Sequence, residues 1–230
     1  MESNEPARPT WAIAPEVAAE RCGRFIARQL AGAGRERLVV GLSGGIDSSV
    51  AAALACRALG PERVLGLLMP HETSSEASLT DAQAVAARLG MPAETVPITA
   101  PVRALRELLH GGDAAAGDRI RAGNLMARCR MIVLYDRSAR DGSLVLGTGN
   151  RTEALLGYTT LYGDNACALN PIGQLYKTEV RLLAAWLGIP PAILTKAPSA
   201  DLWAGQADED ELGFTYDEVD HLLHHLVDRS

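Results

Sequence analysis

Hydrophobic positions in this chain follow two spacings in turn, and the alternation predicts helices and strands that succeed one another. From residue 15 to residue 34 the apolar side chains recur at helical spacing until Gly32 and Gly34 end the pattern. Short, continuous apolar runs are typical of buried parallel strands. Four such runs span residues 37–42, 63–70, 93–98 and 143–149.

Helical patterns fill most of the remaining chain and separate the predicted strands. They cover residues 47–59, 78–90, 101–110, 118–140, 175–188 and 216–228. Strands that alternate with helices predict an α/β fold, a doubly wound parallel sheet with helices on both faces. At 230 residues the chain has room for one sizeable domain, so residues 1–230 are assigned to a single domain.

One polar stretch, residues 197–213, lacks periodicity and predicts a long loop. Long loops of this kind are often functional, and Trp203 is a large apolar side chain within a polar segment. A mobile lid that closes over a reactive intermediate is the favoured interpretation, and an ordinary exposed loop is the alternative.

The stretch "GLSGGIDSSV", residues 41–50, connects the first predicted strand to the next helix. It lacks the lysine of a P-loop and the spacing of a dinucleotide fingerprint. Gly44 and Gly45 allow a tight turn, while Ser43, Ser48 and Ser49 supply hydroxyl donors beside the free N–H groups of a helix start. This combination suits a pyrophosphate better than a simple helix cap.

Asp47 places a carboxylate inside this phosphate-binding loop. Phosphates without an adjacent lysine need a cation, and Mg²⁺ favours carboxylate and phosphate oxygens. Glu153, just after the fourth predicted strand, is the candidate second ligand. The plainer interpretation is that each carboxylate only stabilises the first turn of its own helix.

Charge and cysteine content narrow the class of protein. The net charge of −6 and a pI near 5.4 argue against non-specific nucleic-acid binding. The four cysteines are scattered without a zinc-binding spacing, which favours reduced thiols in a cytoplasmic protein. Neither a signal-peptide pattern nor a membrane-length apolar run is found in the sequence, so the cytoplasm is the expected location.

Later motifs together with the loop resemble the ammonia-dependent NAD synthetases, members of the ATP pyrophosphatases that share the S-G-G-x-D-S loop. The resemblance covers roughly residues 12 to 225, with the motifs in the family's order. They are "GNLMARCRM" (123–131), "GTGNRTEALLGYTTLYGD" (147–164), "NPIGQLYKTEV" (170–180) and "KAPSADLWAGQADEDELGFTYDEVD" (196–220).

The resemblance implies a ligase that forms a C–N bond. The carboxylate of deamido-NAD attacks the α-phosphate of ATP, pyrophosphate leaves, and ammonia displaces AMP from the acyl-adenylate to give NAD. No glutaminase domain is recognised in the sequence, so free ammonia, or ammonia from a separate protein, is the expected nitrogen source. The family's homodimer is expected by resemblance, and neither a nucleic-acid nor a membrane partner is expected.

Site roles are also carried over from the resemblance. Asp47, Lys177 and Asp164 are the candidate catalytic residues, with Asp164 near the incoming ammonia. Asn124 and Arg128 are the candidate contacts of deamido-NAD. Asp47 and Glu153 are the candidate Mg²⁺ ligands. The candidate ATP contacts are Gly41, Leu42, Ser43, Gly44, Gly45, Ile46, Asp47, Ser48, Thr148, Lys177 and Ser199.

Three departures from the family pattern bear on the second substrate. Leu161 and Ala168 stand where a lysine and an aspartate are usual, and the C-terminal His-Lys pair is not found in "LVDRS". A related adenylate-forming amide ligase for a different carboxylate is therefore the closest alternative. A nucleotide-binding regulatory protein without turnover is the alternative from another class, against which Asp47, Glu153 and Lys177 argue.

The sequence "HLLHH" places His221, His224 and His225 at spacings that share a helix face. A metal site is one interpretation. A solvated helix or a subunit interface is favoured, because no further ligands accompany them.

Overall fold

A four-stranded parallel sheet forms the centre of the computed structural model, which describes residues 9–110, 119–199, 206 and 208–229. The strands are β1 (Leu38–Gly41), β2 (Val64–Leu68), β3 (Ala93–Thr95) and β4 (Leu144–Leu146). Their order across the sheet is β3-β2-β1-β4. The order reverses beside β1, and ligands of such sheets bind at that point, beyond the carboxyl ends of the strands.

Helices connect the strands and cover the sheet. They are α1 (Pro15–Gly32), α2 (Ile46–Leu59), α3 (Glu76–Leu89), α4 (Thr99–His110), α5 (Arg119–Asp141), α6 (Arg151–Leu156), α7 (Lys177–Trp186), α8 (Pro191–Leu194), α9 (Asp208–Leu212) and α10 (Tyr216–Leu223). A 3₁₀ turn at Pro61–Arg63 precedes β2, and a π-helical turn at His224–Asp228 follows α10. Within the described residues, no helix is both long and apolar enough to cross a membrane.

Two buried clusters lie on opposite faces of the sheet. Leu38 and Val40 of β1 pack with α1, α2 and α7, whereas Val39 between them packs with α4 and α5. Successive side chains of a strand point to opposite faces, so a strand buried on both sides needs an unbroken apolar run. The predicted doubly wound α/β fold is confirmed, and the assignment of residues 1–230 to one domain stays a prediction.

The predicted strands and the predicted long loop are corrected in length. The run 143–149 pairs with β1 only over Leu144–Leu146, and Gly147 follows in a crowded position where a Cβ would lie 2.6 Å from Cys167 Sγ. The segment 197–213 contains helix α9, whose acidic start favours a helix N-terminus. Trp203 and residues 200–205 and 207 lie outside the described residues, so the predicted lid stays a prediction.

A buried histidine closes the turn between β2 and α3. His71 is 7% exposed. Its backbone N–H donates to Ser74 Oγ at 3.2 Å, and its ring Nδ1 accepts the backbone N–H of Thr73 at 3.2 Å. Burial is the main cause that lowers the pKa of His71, although the carboxylate of Glu72 opposes it. Protonation at Nδ1 would bring two donors face to face, so the folded protein favours neutral His71.

The free energy of unfolding should therefore fall as the pH drops below the unfolded-state histidine pKa of about 6.5. A depressed pKa contributes stability above that value and loses it as the pH falls through the folded-state pKa. The slope from one proton is at most about 1.4 kcal/mol per pH unit. Urea unfolding between pH 7.5 and 4.5 should show a flatter profile for His71→Asn, and the wild-type profile for His225→Asn on the exposed face of the C-terminal turn. Parallel profiles for wild type and His71→Asn would contradict this assignment.

Candidate active site

The loop from Gly41 to Ser48 forms one wall of a cavity of about 690 Å³ beyond the carboxyl ends of β1, β2 and β4. Gly44 has φ of +77°, and a Cβ on it would lie 2.2 Å from the backbone oxygen of Ser78 in α3. A side chain at this position is therefore excluded twice, by the left-handed conformation and by the neighbouring helix. The close approach fixes the loop against the first turn of α3.

Serine hydroxyls hold the loop in a tight turn. Ser43 Oγ lies 3.1 Å from Ser48 Oγ and accepts the N–H of Gly45 at 3.2 Å. The hydroxyls of Ser48 and Ser49 donate to the oxygen of Gly45 at 3.1 and 2.8 Å. Gly45 caps α2 and brings no side chain, so the first-turn N–H groups of this helix are available to an anion in the cavity.

A lysine and two carboxylates from three separate segments meet beside this loop. Lys177, the first residue of α7, places Nζ 2.5 Å from Asp47 Oδ2 and 3.5 Å from Glu153 Oε1. The side chain of Lys177 is only 2% exposed, whereas those of Asp47 and Glu153 are 18% and 20% exposed. The ammonium is thus buried, and the two carboxylates face the cavity. These three residues are called the Lys177 cluster below.

Electrostatics within the Lys177 cluster favour a charged lysine. Burial by itself lowers the pKa of Lys177, but the carboxylates of Asp47 and Glu153 outweigh it and raise the pKa above its ordinary value. Burial, with the charge of Asp47, raises the pKa of Glu153 to about 7. The cluster therefore holds a fixed positive charge next to a carboxyl group that ionises near neutral pH.

Asn150 orients both carboxylates of the Lys177 cluster. Its Nδ2 donates to Asp47 Oδ1 at 3.0 Å, and its Oδ1 accepts the N–H of Glu153 at 2.9 Å. The Glu153 side chain accepts the N–H of Asn150 in return, which completes a capping box at the start of α6. The capping-box pattern "NRTE" is visible in the sequence. The contact of Asn150 with Asp47 is not, because it joins residues 103 positions apart.

Another carboxylate of the cavity was missed in the sequence analysis. Asp208 of α9 is 4% exposed and lines the cavity, and it accepts the hydroxyls of Tyr158 at 3.2 Å and Tyr216 at 3.1 Å. Burial raises its pKa, and the charge of Lys177 opposes that rise. The ring of Tyr216 lies under Lys177, with Nζ 5.0 Å from the ring centroid. Sequence alone placed Asp208 in a polar loop, where nothing singled it out.

Two further basic residues line the cavity and were also missed. Lys196 Nζ donates to Asp81 Oδ2 at 2.9 Å and to Ser78 Oγ at 3.1 Å, so it links the segment after α8 to α3. Arg130 of α5 donates to the oxygen of Met69 at 3.1 Å. Both add positive charge around the cavity, although the chain as a whole is acidic.

The remaining predicted site residues fall into two groups. Thr148, Ser199 and Asp164 line the cavity together with the loop and the Lys177 cluster. Asp164 Oδ1 accepts the hydroxyl of Thr159 and the N–H of Thr160, each at 2.7 Å.

The two predicted contacts of the second substrate lie at the edge of the site. Asn124 accepts the hydroxyl of Thr160 at 2.7 Å, and Arg128 donates to the oxygen of Leu161 at 3.2 Å. Neither is among the described residues that line the cavity. The structure therefore brings together the predicted ATP contacts but leaves Asn124 and Arg128 beside the cavity.

The Lys177 cluster fits a divalent cation at its open side. Asp47 and Glu153 already converge on one positive group, the ammonium of Lys177, and both present oxygen atoms. In the part of the chain that the structure describes, no three His, Cys, Asp or Glu residues are grouped to hold a metal. Mg²⁺ is commonly bound by one or two carboxylates, with phosphate oxygens and water as the remaining ligands.

Among the described residues, the three C-terminal histidines do not form a group that could hold a metal ion, so the metal-site interpretation of their spacing gains no support. His224 instead stacks on Trp11, with ring centroids 4.8 Å apart, and lies 3.2 Å from Asp228.

Comparison with known proteins identifies the family of this site. A family model described as NAD synthase matches residues 18–230. The chain belongs to the NAD synthase family. The predicted resemblance to ammonia-dependent NAD synthetases is thereby confirmed.

Individual relatives agree with the family. The chain is 54% identical over 205 residues to the NH(3)-dependent NAD(+) synthetase of Chlorobium phaeobacteroides. The matched region covers 89% of this chain and 72% of the relative. Among solved structures, the NMN synthetase of Francisella tularensis matches with a TM-score of 0.86 at 34% identity, covering 92% of this chain and 86% of that one. The NH3-dependent NAD synthetase of Campylobacter jejuni matches with a TM-score of 0.77 at 36% identity, covering 93% and 84%.

Gly44→Ala should disrupt the loop without unfolding the sheet. The added Cβ clashes with a backbone oxygen that cannot rotate away, so the loop must shift, and we expect ATP affinity to fall at least about tenfold. Gly90→Ala is the matched control, because Gly90 has φ of +66° but nothing within 4 Å of its Cβ position. That variant should lose about 1 kcal/mol of stability and keep its ATP affinity.

Isothermal titration calorimetry with ATP and a urea unfolding curve measure both effects. Equal ATP affinities for the Gly44 and Gly90 variants would show that the contact with Ser78 has no part in shaping the loop.

Proposed function

We propose that this chain catalyses the ATP-dependent amidation of deamido-NAD by ammonia, which yields NAD, AMP and pyrophosphate. The observation that carries the proposal is the buried Lys177 ammonium between Asp47 and Glu153, at the end of a glycine- and serine-rich loop. A lone lysine or carboxylate pair would serve many purposes. Their combination in a NAD synthase family chain supports this reaction.

ATP takes the part of the cavity beside the loop in this proposal. The backbone and hydroxyls of residues 41–48, with the first-turn N–H groups of α2, receive the phosphates. Thr148 and Ser199 supply further polar contacts, and Lys177 faces the phosphate whose bond is broken. Asp47 and Glu153 would hold Mg²⁺, which would supply charge neutralisation.

The reaction itself has two steps. A carboxylate oxygen of deamido-NAD attacks the α-phosphorus of ATP, the bond to the bridging oxygen breaks, and pyrophosphate leaves. Ammonia then attacks the carbonyl carbon of the acyl-adenylate, loses a proton, and AMP leaves with the oxygen that came from the carboxylate. Lys177 acts where negative charge develops on the phosphoryl oxygens, and its ammonium is buried, which strengthens that interaction.

Deamido-NAD lies toward the edge that carries Asn124 and Arg128. Arg128 offers a forked set of donors for a phosphate or ribose oxygen, and its bond to Leu161 places it over that edge. Asp164 lines the cavity and accepts the N–H of Thr160, whose hydroxyl bonds to Asn124, and we assign Asp164 to the incoming ammonia.

The wider setting of the reaction is part of the proposal and follows from the family resemblance. The enzyme works in the cytoplasm as a homodimer, and it uses free ammonia or ammonia from a separate protein.

The purified chain should convert deamido-NAD, ATP and ammonium into NAD, AMP and pyrophosphate in equal amounts in the presence of Mg²⁺. Chromatography of the nucleotides and a coupled pyrophosphate assay measure all three products. Nicotinic acid mononucleotide belongs in a parallel reaction, because the structurally similar Francisella protein is an NMN synthetase. Amidation of the mononucleotide alone would replace deamido-NAD by the smaller substrate, and no amide from either would refute the proposal.

Asp47→Asn should abolish adenylation while the fold stays intact. Asparagine keeps an acceptor for Asn150 but removes the charge that faces Lys177, so we expect pyrophosphate release to slow at least about 10²-fold, or about 2.7 kcal/mol. Asp141→Asn is the matched control, since Asp141 lies at the far end of α5 and contacts Arg140.

The rates of the two variants are compared per folded molecule, with folding checked by circular dichroism. A near-normal rate for Asp47→Asn would contradict the role of the Lys177 cluster.

A further inference from the structure

A second buried carboxylate lies behind the Lys177 cluster, on the side away from the cavity. Asp220 of α10 is 0% exposed. Its Oδ1 accepts the hydroxyl of Thr152 at 2.5 Å, and its Oδ2 accepts the N–H of Thr178 at 2.8 Å. It is not among the described residues that line the cavity, so it has no contact with a ligand there.

Thr152 extends this contact to the backbone of the catalytic lysine. Its hydroxyl oxygen accepts the N–H of Lys177 at 2.9 Å while the same hydroxyl donates to Asp220. Thr152 also directly precedes Glu153 in α6. Asp220 is therefore linked to Lys177 and Thr178, the first two residues of α7. Through Thr152 it is also linked to the position next to Glu153.

The arrangement answers a physical need of the start of α7. The first N–H groups of a helix have no partner within the helix, and a buried N–H without a partner is destabilising. Thr152 accepts one of these N–H groups and Asp220 accepts the next. A carboxylate at this end also interacts favourably with the helix dipole. The start of α7 is thus held against α6 by hydrogen bonds, and apolar packing alone would leave its N–H groups unsatisfied.

The same face of α10 supports the side chain of Lys177 as well. Tyr216 lies one turn before Asp220 and places its ring under Lys177 Nζ. Tyr216 is 1% exposed, and its hydroxyl donates to Asp208. Helix α10 therefore supports Lys177 in two ways. The ring of Tyr216 contacts the ammonium, and Asp220 accepts the hydroxyl of Thr152, which in turn accepts the backbone N–H of Lys177.

We propose that Asp220 is a positioning residue for adenylation, because it fixes the first turn of α7 against α6 and so sets where Lys177 Nζ lies relative to Asp47 and Glu153. This inference rests on the proposed function. Asp220 acts through Lys177 and does not touch substrate.

Two pairs of variants test the network. Asp220→Ala removes both acceptors, whereas Asp220→Asn keeps an acceptor for Thr178 and can donate to the hydroxyl oxygen of Thr152. Thr152→Val removes the hydroxyl at nearly constant volume, and Thr152→Ser retains it. Asp217→Ala is the control on the same helix, since its side chain is 74% exposed and contacts only Arg181 among the bonds described.

Steady-state kinetics per folded molecule provide the first readout. Small displacements of a group that acts in the transition state mainly lower kcat, so Asp220→Ala and Thr152→Val should lose about 10- to 100-fold in kcat. The KM for ATP should change by less than about threefold, since the loop and its backbone donors are untouched. Asp220→Asn, Thr152→Ser and Asp217→Ala should each retain more activity than the disruptive variants.

Lysine labelling provides a second readout that does not depend on activity. The chain has only two lysines, Lys177 and Lys196, and both are within the described residues. Acetylation by an activated ester, followed by mass spectrometry of the peptides, gives the rate at Lys177 relative to Lys196. Asp220→Ala and Thr152→Val should raise this ratio at least about threefold, whereas general unfolding would raise both rates.

The outcomes separate the two proposals. Wild-type kcat in Thr152→Val and Asp220→Ala, or a lowered kcat with an unchanged labelling ratio, would overturn the positioning role. If Asp220→Ala fails to fold, the Thr152→Val and Thr152→Ser pair gives the same decision. If the wild-type enzyme forms no NAD, the proposed function fails, and the labelling ratio alone decides whether Asp220 positions Lys177.

Discussion

The site depends on a positive charge kept out of water. Lys177 is buried, and an isolated ammonium in that position would lose its proton or disrupt the fold. Asp47 and Glu153 prevent this by facing it from the loop after β1 and from the start of α6. Because the three groups come from three segments, the charge can be satisfied only when the sheet and its connections are correctly assembled.

This mutual neutralisation also suits the proposed chemistry. Without a nucleotide, the lysine and the carboxylates satisfy one another, so the site is stable while its donors remain in place. In the proposed reaction, Asp47 and Glu153 would hold a divalent cation, and Lys177 would face the phosphates. These groups are already held in place by one another, and such preorganisation makes electrostatic stabilisation effective.

The α/β fold could be predicted because its signals are local. Apolar runs of strand length alternate with helical periodicity, and Gly44 marks the tight turn after β1. Asp47 and Glu153 could be chosen because each lies in the stretch that follows a predicted strand. The place of Lys177 between them could not be derived from local pattern, since its contact with Asp47 joins residues 130 positions apart, and the resemblance supplied it.

Several buried side chains that support the Lys177 cluster were beyond sequence reasoning. Asn150, Asp208 and Asp220 look like ordinary capping or surface residues in the sequence, because only tertiary packing buries them. Asn124 and Arg128 were proposed through resemblance, and they lie beside the cavity without lining it. Local pattern therefore gave least guidance on the residues proposed to bind the second substrate.

In the proposed reaction, the carboxylate of the second substrate attacks the α-phosphorus of ATP beside the Lys177 cluster. Deamido-NAD with oxygen-18 in both carboxylate oxygens tests it directly, with the AMP product analysed by mass spectrometry after one turnover. We expect AMP to carry one oxygen-18 and the amide oxygen of NAD to retain the other. AMP without the label, formed together with NAD, would contradict attack at the α-phosphorus and the acyl-adenylate that follows from it.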